Sequence, residues 1–421
     1  MNASGDEHPE SVESFRRRAR AWIRGNLAPL RDGDGDLASA GEADWLRARK
    51  LQAKLYEGGF AGICYPREYG GIGLTPAHQR AFNEEVCGYE MPLLLNTPTF
   101  TICGPTILDL GTREQKREHL TAAMRGEEVF VQFLSEPASG SDLASVTTRA
   151  TRDGDVFILR GSKIWSSSAY AADYALCLAR TDWDARKHRG LTMFLIRIHQ
   201  PAVKIHRIRQ VNGSSEFCQE FFDDVEVPVS AVVGEINDGW AVATHLLFHE
   251  RNAVGGGSPY FSGPLPTSRR ESAAGDVVGL LRRTGRAGDV AARELVAEFH
   301  ALGKIHSQLV DRVAAGLRSG QLPPAAGSLI RLFSGETATR RAEIALELAG
   351  PDAVMCEPGQ GSVRDIGVKF LSRQASSLGG GSTEMARNII SERMLGMPRE
   401  YAADRDIPFS QVKRGRQNDH Q

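Results

Sequence analysis

The feature that most constrains this chain is a double change of texture along its length. From Pro9 to about Glu128 apolar residues recur at helical spacing, as in Phe15, Ala19, Trp22 and Ile23, and again in Trp45, Leu51 and Leu55. Near Val129 the pattern becomes short runs dense in β-formers: Val129 to Leu134, Val156 to Arg160, Tyr174 to Ala179, Leu191 to Ile198 and Phe217 to Val225. Helical spacing returns from Asp238 through Leu395. No strand alternates with a helix in the manner of a doubly wound sheet, and no segment repeats, so the order predicts an α+β fold. Its parts are a helical domain over residues 1–128, a mainly antiparallel β domain over 129–235, a helical domain over 236–400 and a polar, frayed end over 401–421.

Turn chemistry punctuates this order. Residues 31–36 read as a loop, 65–73 as an ordered glycine-bent segment, and Asp153-Gly154-Asp155 as a hairpin turn. The Gly/Pro/Ser-rich stretch from Gly255 to Gly275 reads as a mobile loop.

Composition excludes several function classes. The chain has 421 residues and a net charge of -1 from 51 basic and 52 acidic side chains, so it lacks the basic excess that nucleic acid or an anionic membrane would call for. Its six cysteines form no CxxC pair, which argues against a zinc site or a disulfide framework and suits a reduced, cytoplasmic setting. Residues 1–7 lack the basic and apolar regions of a signal peptide, and no apolar run approaches the roughly 20 residues that span a bilayer.

Few residues offer chemistry. Trp240, Ala243, Leu247, Glu250 and Val254 are spaced to share one helix face, which sets a carboxylate in an apolar stripe. A desolvated carboxyl has a raised pKa and suits proton abstraction from a weak carbon acid. The alternative is a slightly rotated helix with Glu250 and Arg251 as a solvated ion pair. Leu134 to Asp142 leaves a strand through small hydroxylated residues that could grip a heterocycle or phosphate, or simply form an Asx-rich turn. Trp165 beside Ser166, Ser167 and Ser168 could stack on a planar group or pack in the core. Gly379-Gly380-Gly381-Ser382-Thr383-Glu384 runs into a helix, which permits close backbone approach to a negative group, though it is no Walker loop. His245 and His249 have helical i, i+4 spacing, but no third ligand stands at a supporting spacing, so they read as surface histidines and no metal is expected. No Gly-x-Ser-x-Gly elbow supports a hydrolase.

Taken in order, these segments resemble the acyl-CoA dehydrogenase family over nearly the whole chain. The carrying stretches are Tyr65-Pro66-Arg67-Glu68-Tyr69-Gly70-Gly71, Leu134 to Asp142, Gly161 to Trp165, Asn212-Gly213 through Pro228, Gly239-Trp240, and Gly381 to Arg387 with Ile390 to Arg393. The resemblance implies a helical domain, a β-barrel and a C-terminal four-helix bundle. It implies α,β-dehydrogenation of an acyl-CoA thioester with FAD, the α-proton going to a carboxylate and the β-hydrogen to the flavin as hydride. The Gly380 amide is implied to polarise the thioester carbonyl. Leu134, Ser135, Trp165 and Ser167 match positions around the flavin ring, Ser141 a hydroxyl near the cofactor pyrophosphate and CoA, Ser382 and Glu384 positions that hold FAD, and Arg251 an arginine near the CoA chain.

In many members the base lies just before the glycine matching Gly381, where this chain has Gly380. A minority carry it on the helix preceding an arginine, and Glu250-Arg251 matches that arrangement. The chain departs from the family where an Arg-x-x-Phe-Gly run is replaced by the Gly255 to Gly275 stretch, and where Leu346 and Ala349-Gly350 stand at the adenosine site. The resemblance implies an electron-transfer flavoprotein as acceptor, and a homotetramer or a mixed assembly with a homologous subunit, as in actinobacterial steroid and lipid degradation. The other readings are a flavin acyl-CoA oxidase and a non-catalytic partner subunit.

Overall fold

A computed structural model describes residues 10–30, 40–254, 257–264, 276–355 and 361–413. Residues 1–7 and the expected loop at 31–36 lie outside them. Helices α1 (Val12–Asn26), α2 (Glu42–Glu57), α3 (Pro76–Glu85) and α4 (Gly104–Leu110) form the first part. Ser11 caps α1 by accepting from the Ser14 amide at 3.2 Å, and Phe15, Ala19 and Ile23 recur at i, i+4, i+8 to bury one face. That face meets Phe60 and Phe82, whose rings stack at 5.5 Å.

The middle part is an eight-stranded sheet. Its strands are β1 (Phe130–Phe133), β2 (Arg149–Asp153), β3 (Val156–Ser167), β4 (Tyr174–Arg180), β5 (Leu191–Arg197), β6 (Val203–Arg207), β7 (Phe217–Pro228) and β8 (Val232–Val233). The path runs β6-β7-β3-β2-β4-β5-β8, and β1 lies parallel to β4. Gly154, at φ 58°, turns β2 into β3 with Asp153 opposite Val156, as its turn chemistry predicts. Three strands leave no clear pattern in the sequence: β2 buries only Ala150, β6 buries no residue fully, and β8 has two residues, so none carries a run of apolar β-formers.

Helix α5 (Gly239–Val254) leaves this sheet and packs against β5, α4 and the π-helical turn Asn96–Cys103. Helices α6 (Val277–Arg283), α7 (Val290–Arg318), α8 (Gly327–Ala349), α9 (Gly361–Ser372) and α10 (Thr383–Arg393) complete the chain's helical end. Their core is separate from that of the sheet and includes Leu280, Phe299, Ile344 and Leu348. No helix of the described residues is long and apolar enough to cross a membrane.

Two expectations of mobility need correction. Within the Gly255 to Gly275 stretch, residues 257–264 are fixed by two asparagines that imitate a strand partner. Asn83 donates to the Phe261 carbonyl and accepts from the Gly263 amide, both at 3.0 Å, and Asn96 does the same with both main-chain groups of Ser262 at 2.9 Å. Residues 265–275 lie outside the described residues. The end expected to fray is also docked as far as 413, because Phe409 is completely buried under the Arg180 guanidinium, 3.5 Å from its ring centre. The Phe409 and Ser410 amides donate to the Ala185 and Trp183 carbonyls at 2.9 and 2.7 Å. Composition concealed this anchor because isolated aromatics in a polar tail make no pattern. Cys103, Cys177 and Cys218 are buried thiols without disulfides, and Cys356 lies outside the described residues.

Candidate active site

Helix α5 carries the carboxylate, turned from the expected stripe. Its most buried side chains are Val242, Ala243, Leu246 and His249, so Trp240, Leu247 and Glu250 stand at the edge of the buried face. Glu250 as a residue is partly accessible, yet its carboxyl is enclosed by protein, and this desolvation raises its pKa above the ordinary value. A hydrogen bond from Gln132 and the charges of Arg251 and Arg331 pull the other way without cancelling the rise. The bond runs from Gln132 Nε2 to Glu250 Oε2 at 3.2 Å, and it does not come from Arg251, so the solvated ion pair is not formed. Arg251 is itself partly buried, and desolvation lowers its pKa against the pull of Glu250.

Gln132 lies on β1, two residues before Leu134, so one strand reaches both the carboxylate and the expected flavin edge. The Leu134 carbonyl accepts from Lys163 Nζ at 3.0 Å, and the Ser135 carbonyl accepts from the Ile164 amide at 2.9 Å. Lys163 is fully buried and pairs with Glu136 at 2.9 Å, and Glu136 in turn accepts from the Thr147 and Thr148 amides. Burial alone would raise the Glu136 pKa, but the Lys163 charge and these bonds hold it below the usual range. The loop after β1 is thus clamped to β3 beside Trp165.

Trp165 occupies a bulge in β3, where pairing with β7 shifts between Ile164 and Ser166. Its φ of 67° is a strained value for a bulky residue, and the residue is 54% exposed rather than packed in the core. Ser167 follows, paired with Phe217, and Ser166 donates to buried Glu220 at 3.0 Å. Ser141 is exposed, next to Asp142, whose carboxylate meets Lys187 at 2.7 Å.

On the helical side Gly380 and Gly381 have φ of 72° and 93°, a left-handed turn that admits glycine readily. Ser382 then caps α10, accepting from the Met385 amide at 3.2 Å, so one lone pair of its hydroxyl is already used. Glu384 is exposed in the first turn, where Thr383 donates to it at 3.3 Å. Leu346 packs against the apolar cluster of the helical end and offers no polar group there.

The reading of the two histidines is corrected. His249 is buried, and Asp109 from α4 supplies the carboxylate that close spacing did not reveal. Asp109 Oδ2 meets His245 Nε2 at 2.6 Å and His249 Nε2 at 2.9 Å. These two contacts tie α4 to α5. Burial would raise the Asp109 pKa, but the bonds from His249 and His245 outweigh it and lower the value. Gln132 and Arg331 carry no local signal along the chain, because their partners stand 118 and more than 40 residues away.

Comparison with known proteins agrees with this architecture. The family models for the acyl-CoA dehydrogenase N-terminal, middle and C-terminal domains match residues 9–127, 132–225 and 237–395. The acyl-CoA dehydrogenase IpdE1 of Mycobacterium tuberculosis is 32% identical over 403 residues, which covers 93% of this chain and 99% of that protein. The solved Tcur3481-Tcur3483 steroid ACAD superposes with a TM-score of 0.74 at 30% identity, covering 94% of this chain and 99% of that one. The ChsE4-ChsE5 complex from Mycobacterium tuberculosis gives a TM-score of 0.68 at 25% identity, covering 95% and 100%. With all three domain models matched in order and a relative this similar along its whole length, the chain belongs to the acyl-CoA dehydrogenase family and is an enzyme of that family.

Proposed function

We propose that this enzyme removes the α-proton of an acyl-CoA thioester with Glu250 and yields the trans-2-enoyl-CoA. The observation that carries the reading is an enclosed, raised-pKa carboxyl on α5, held by Gln132 from the strand that leads to Leu134 and Ser135. In water the α-proton is too weakly acidic for a carboxylate. A desolvated carboxylate facing a polarised thioester carbonyl closes that gap, and the Gly380 amide is the chain's donor for the carbonyl.

Members of the family are flavoproteins, and the residues here fit the ring end of FAD. Gln132 Oε1 is shielded from water with no partner among the described residues, and Trp165 leaves its indole open beside the clamped Leu134–Ser135 backbone. Leu134, Ser135, Trp165 and Ser167 would hold the isoalloxazine, while Ser141, Ser382 and Glu384 would face its phosphates and ribityl chain. Bound FAD would supply the hydride acceptor. Arg251 and Ser141 would guide the CoA chain. Electrons would leave to an electron-transfer flavoprotein.

The adenosine end is less complete, with Leu346 turned into apolar packing. That supports a mixed assembly in which a homologous subunit contributes part of the site, and two solved neighbours carry paired names, Tcur3481-Tcur3483 and the ChsE4-ChsE5 complex. Expression alone and together with a homologous partner tests the reading. A yellow protein bleached by acyl-CoA without oxygen supports the dehydrogenase. Rapid turnover that needs oxygen and no other acceptor would favour an oxidase, and a colourless, inert chain in both preparations would favour a partner role.

A further inference from the structure

Arg331 is a buried arginine on α8 that is spent on the backbone of the glycine turn. Its Nη1 donates to the Ser376 carbonyl and its Nη2 to the Gly379 carbonyl, each at 2.8 Å. The second contact matters chemically, because the Gly379 carbonyl and the Gly380 N–H belong to one peptide group. A cation bound to the oxygen of an amide draws electron density away from its nitrogen. The N–H on the far side becomes a better donor, and its plane is fixed. The slot for the guanidinium is kept by Gly335, one turn further along α8. A Cβ there would stand 2.9 Å from Arg331 Nη1 and 3.1 Å from the Ser376 carbonyl oxygen. Arg331 also acts on Glu250 electrostatically, its charge favouring the ionised carboxylate.

We propose that Arg331 is the positioning residue of the thioester site: it orients and polarises the Gly379–Gly380 peptide so that the Gly380 amide grips the thioester carbonyl. The inference rests on the reading of Gly380 as the carbonyl donor. Arg331 touches no reacting atom, and its effect runs through one peptide plane into the developing enolate oxygen.

The test is infrared spectroscopy of trans-octenoyl-CoA, labelled with heavy carbon at the thioester carbonyl, bound to the flavin-loaded enzyme, alongside steady-state kinetics. In the native enzyme the labelled carbonyl stretch should fall well below that of free ligand. In Arg331→Gln at least half of that lowering should be lost, with kcat reduced about 10- to 100-fold, KM changed about 3-fold or less, and flavin content retained. Arg331→Lys should recover part of both effects. Gly335→Ala, which leaves the arginine in place but crowds its slot, should move the stretch in the same direction, and it carries the test if the glutamine variant does not fold. Native carbonyl lowering retained in both Arg331→Gln and Gly335→Ala would overturn the role while leaving the dehydrogenase reading intact. A native enzyme that acyl-CoA cannot reduce would instead sink that reading, and this inference with it.

Discussion

Gln132 on β1 donates to Glu250 on α5 at 3.2 Å, so the strand that ends at the expected flavin edge also aims the carboxylate. A hydrogen bond to the ionised form lowers a carboxyl pKa, and here it opposes a larger rise caused by burial.

This opposition sets the pH dependence. The base must be ionised, so kcat/KM for an acyl-CoA should climb with pH through a value above the ordinary carboxylate range. Gln132→Leu removes the bond that favours the ionised form and should move that limb upward. A pH profile of both proteins checks it, and a downward shift would mean that Gln132 does not favour the ionised form.

Glu220 lies on β7 opposite Lys163 of β3. Burial pushes its pKa up to about 8, with Ser166 and Lys163 offsetting only part of the rise. A folded pKa above the unfolded one gives stability that is complete below the unfolded value and is lost as pH rises through about 8. Glu220→Gln escapes that loss. Its melting temperature relative to native should be near unchanged at about pH 5 and several degrees higher at about pH 8.5, as thermal melts across pH would record.

The docked end carries its own prediction. Phe409 is fully buried between Arg180 and Trp183, whose ring centre is 5.5 Å away. Phe409→Ala should cost about 3–5 kcal/mol in denaturant unfolding and expose residues 401–413 to protease. Loss below about 1 kcal/mol would show that the segment is not anchored by this ring.

Much of this arrangement can be read along the chain and some of it cannot, for physical reasons. The succession of helices, strands and helices follows from apolar spacing, which is local. The hairpin at Gly154 follows from turn chemistry, which is also local. Glu250 stands out because a carboxylate near an apolar stripe violates the usual pattern, even though the helix is turned so that Leu246 and His249 lie deepest. What remained hidden depends on partners far away in sequence. Asp109 beneath His245 and His249, Asn83 and Asn96 beneath residues 257–264, Arg331 beneath Gly379 and Phe409 beneath Arg180 each join elements that only the folded chain brings together. Strands β2 and β6 escaped notice because their outward faces are polar and little of their surface is buried.

The central claim is that Glu250 takes the α-proton, and anaerobic stopped-flow reduction of the flavin-loaded enzyme by acyl-CoA tests it most directly. Glu250→Gln keeps the shape and the Gln132 contact while removing the base, and it should slow flavin bleaching by about a thousandfold or more while the protein still binds flavin and CoA ligands. Bleaching at the native rate in the variant would contradict the account and place the base elsewhere.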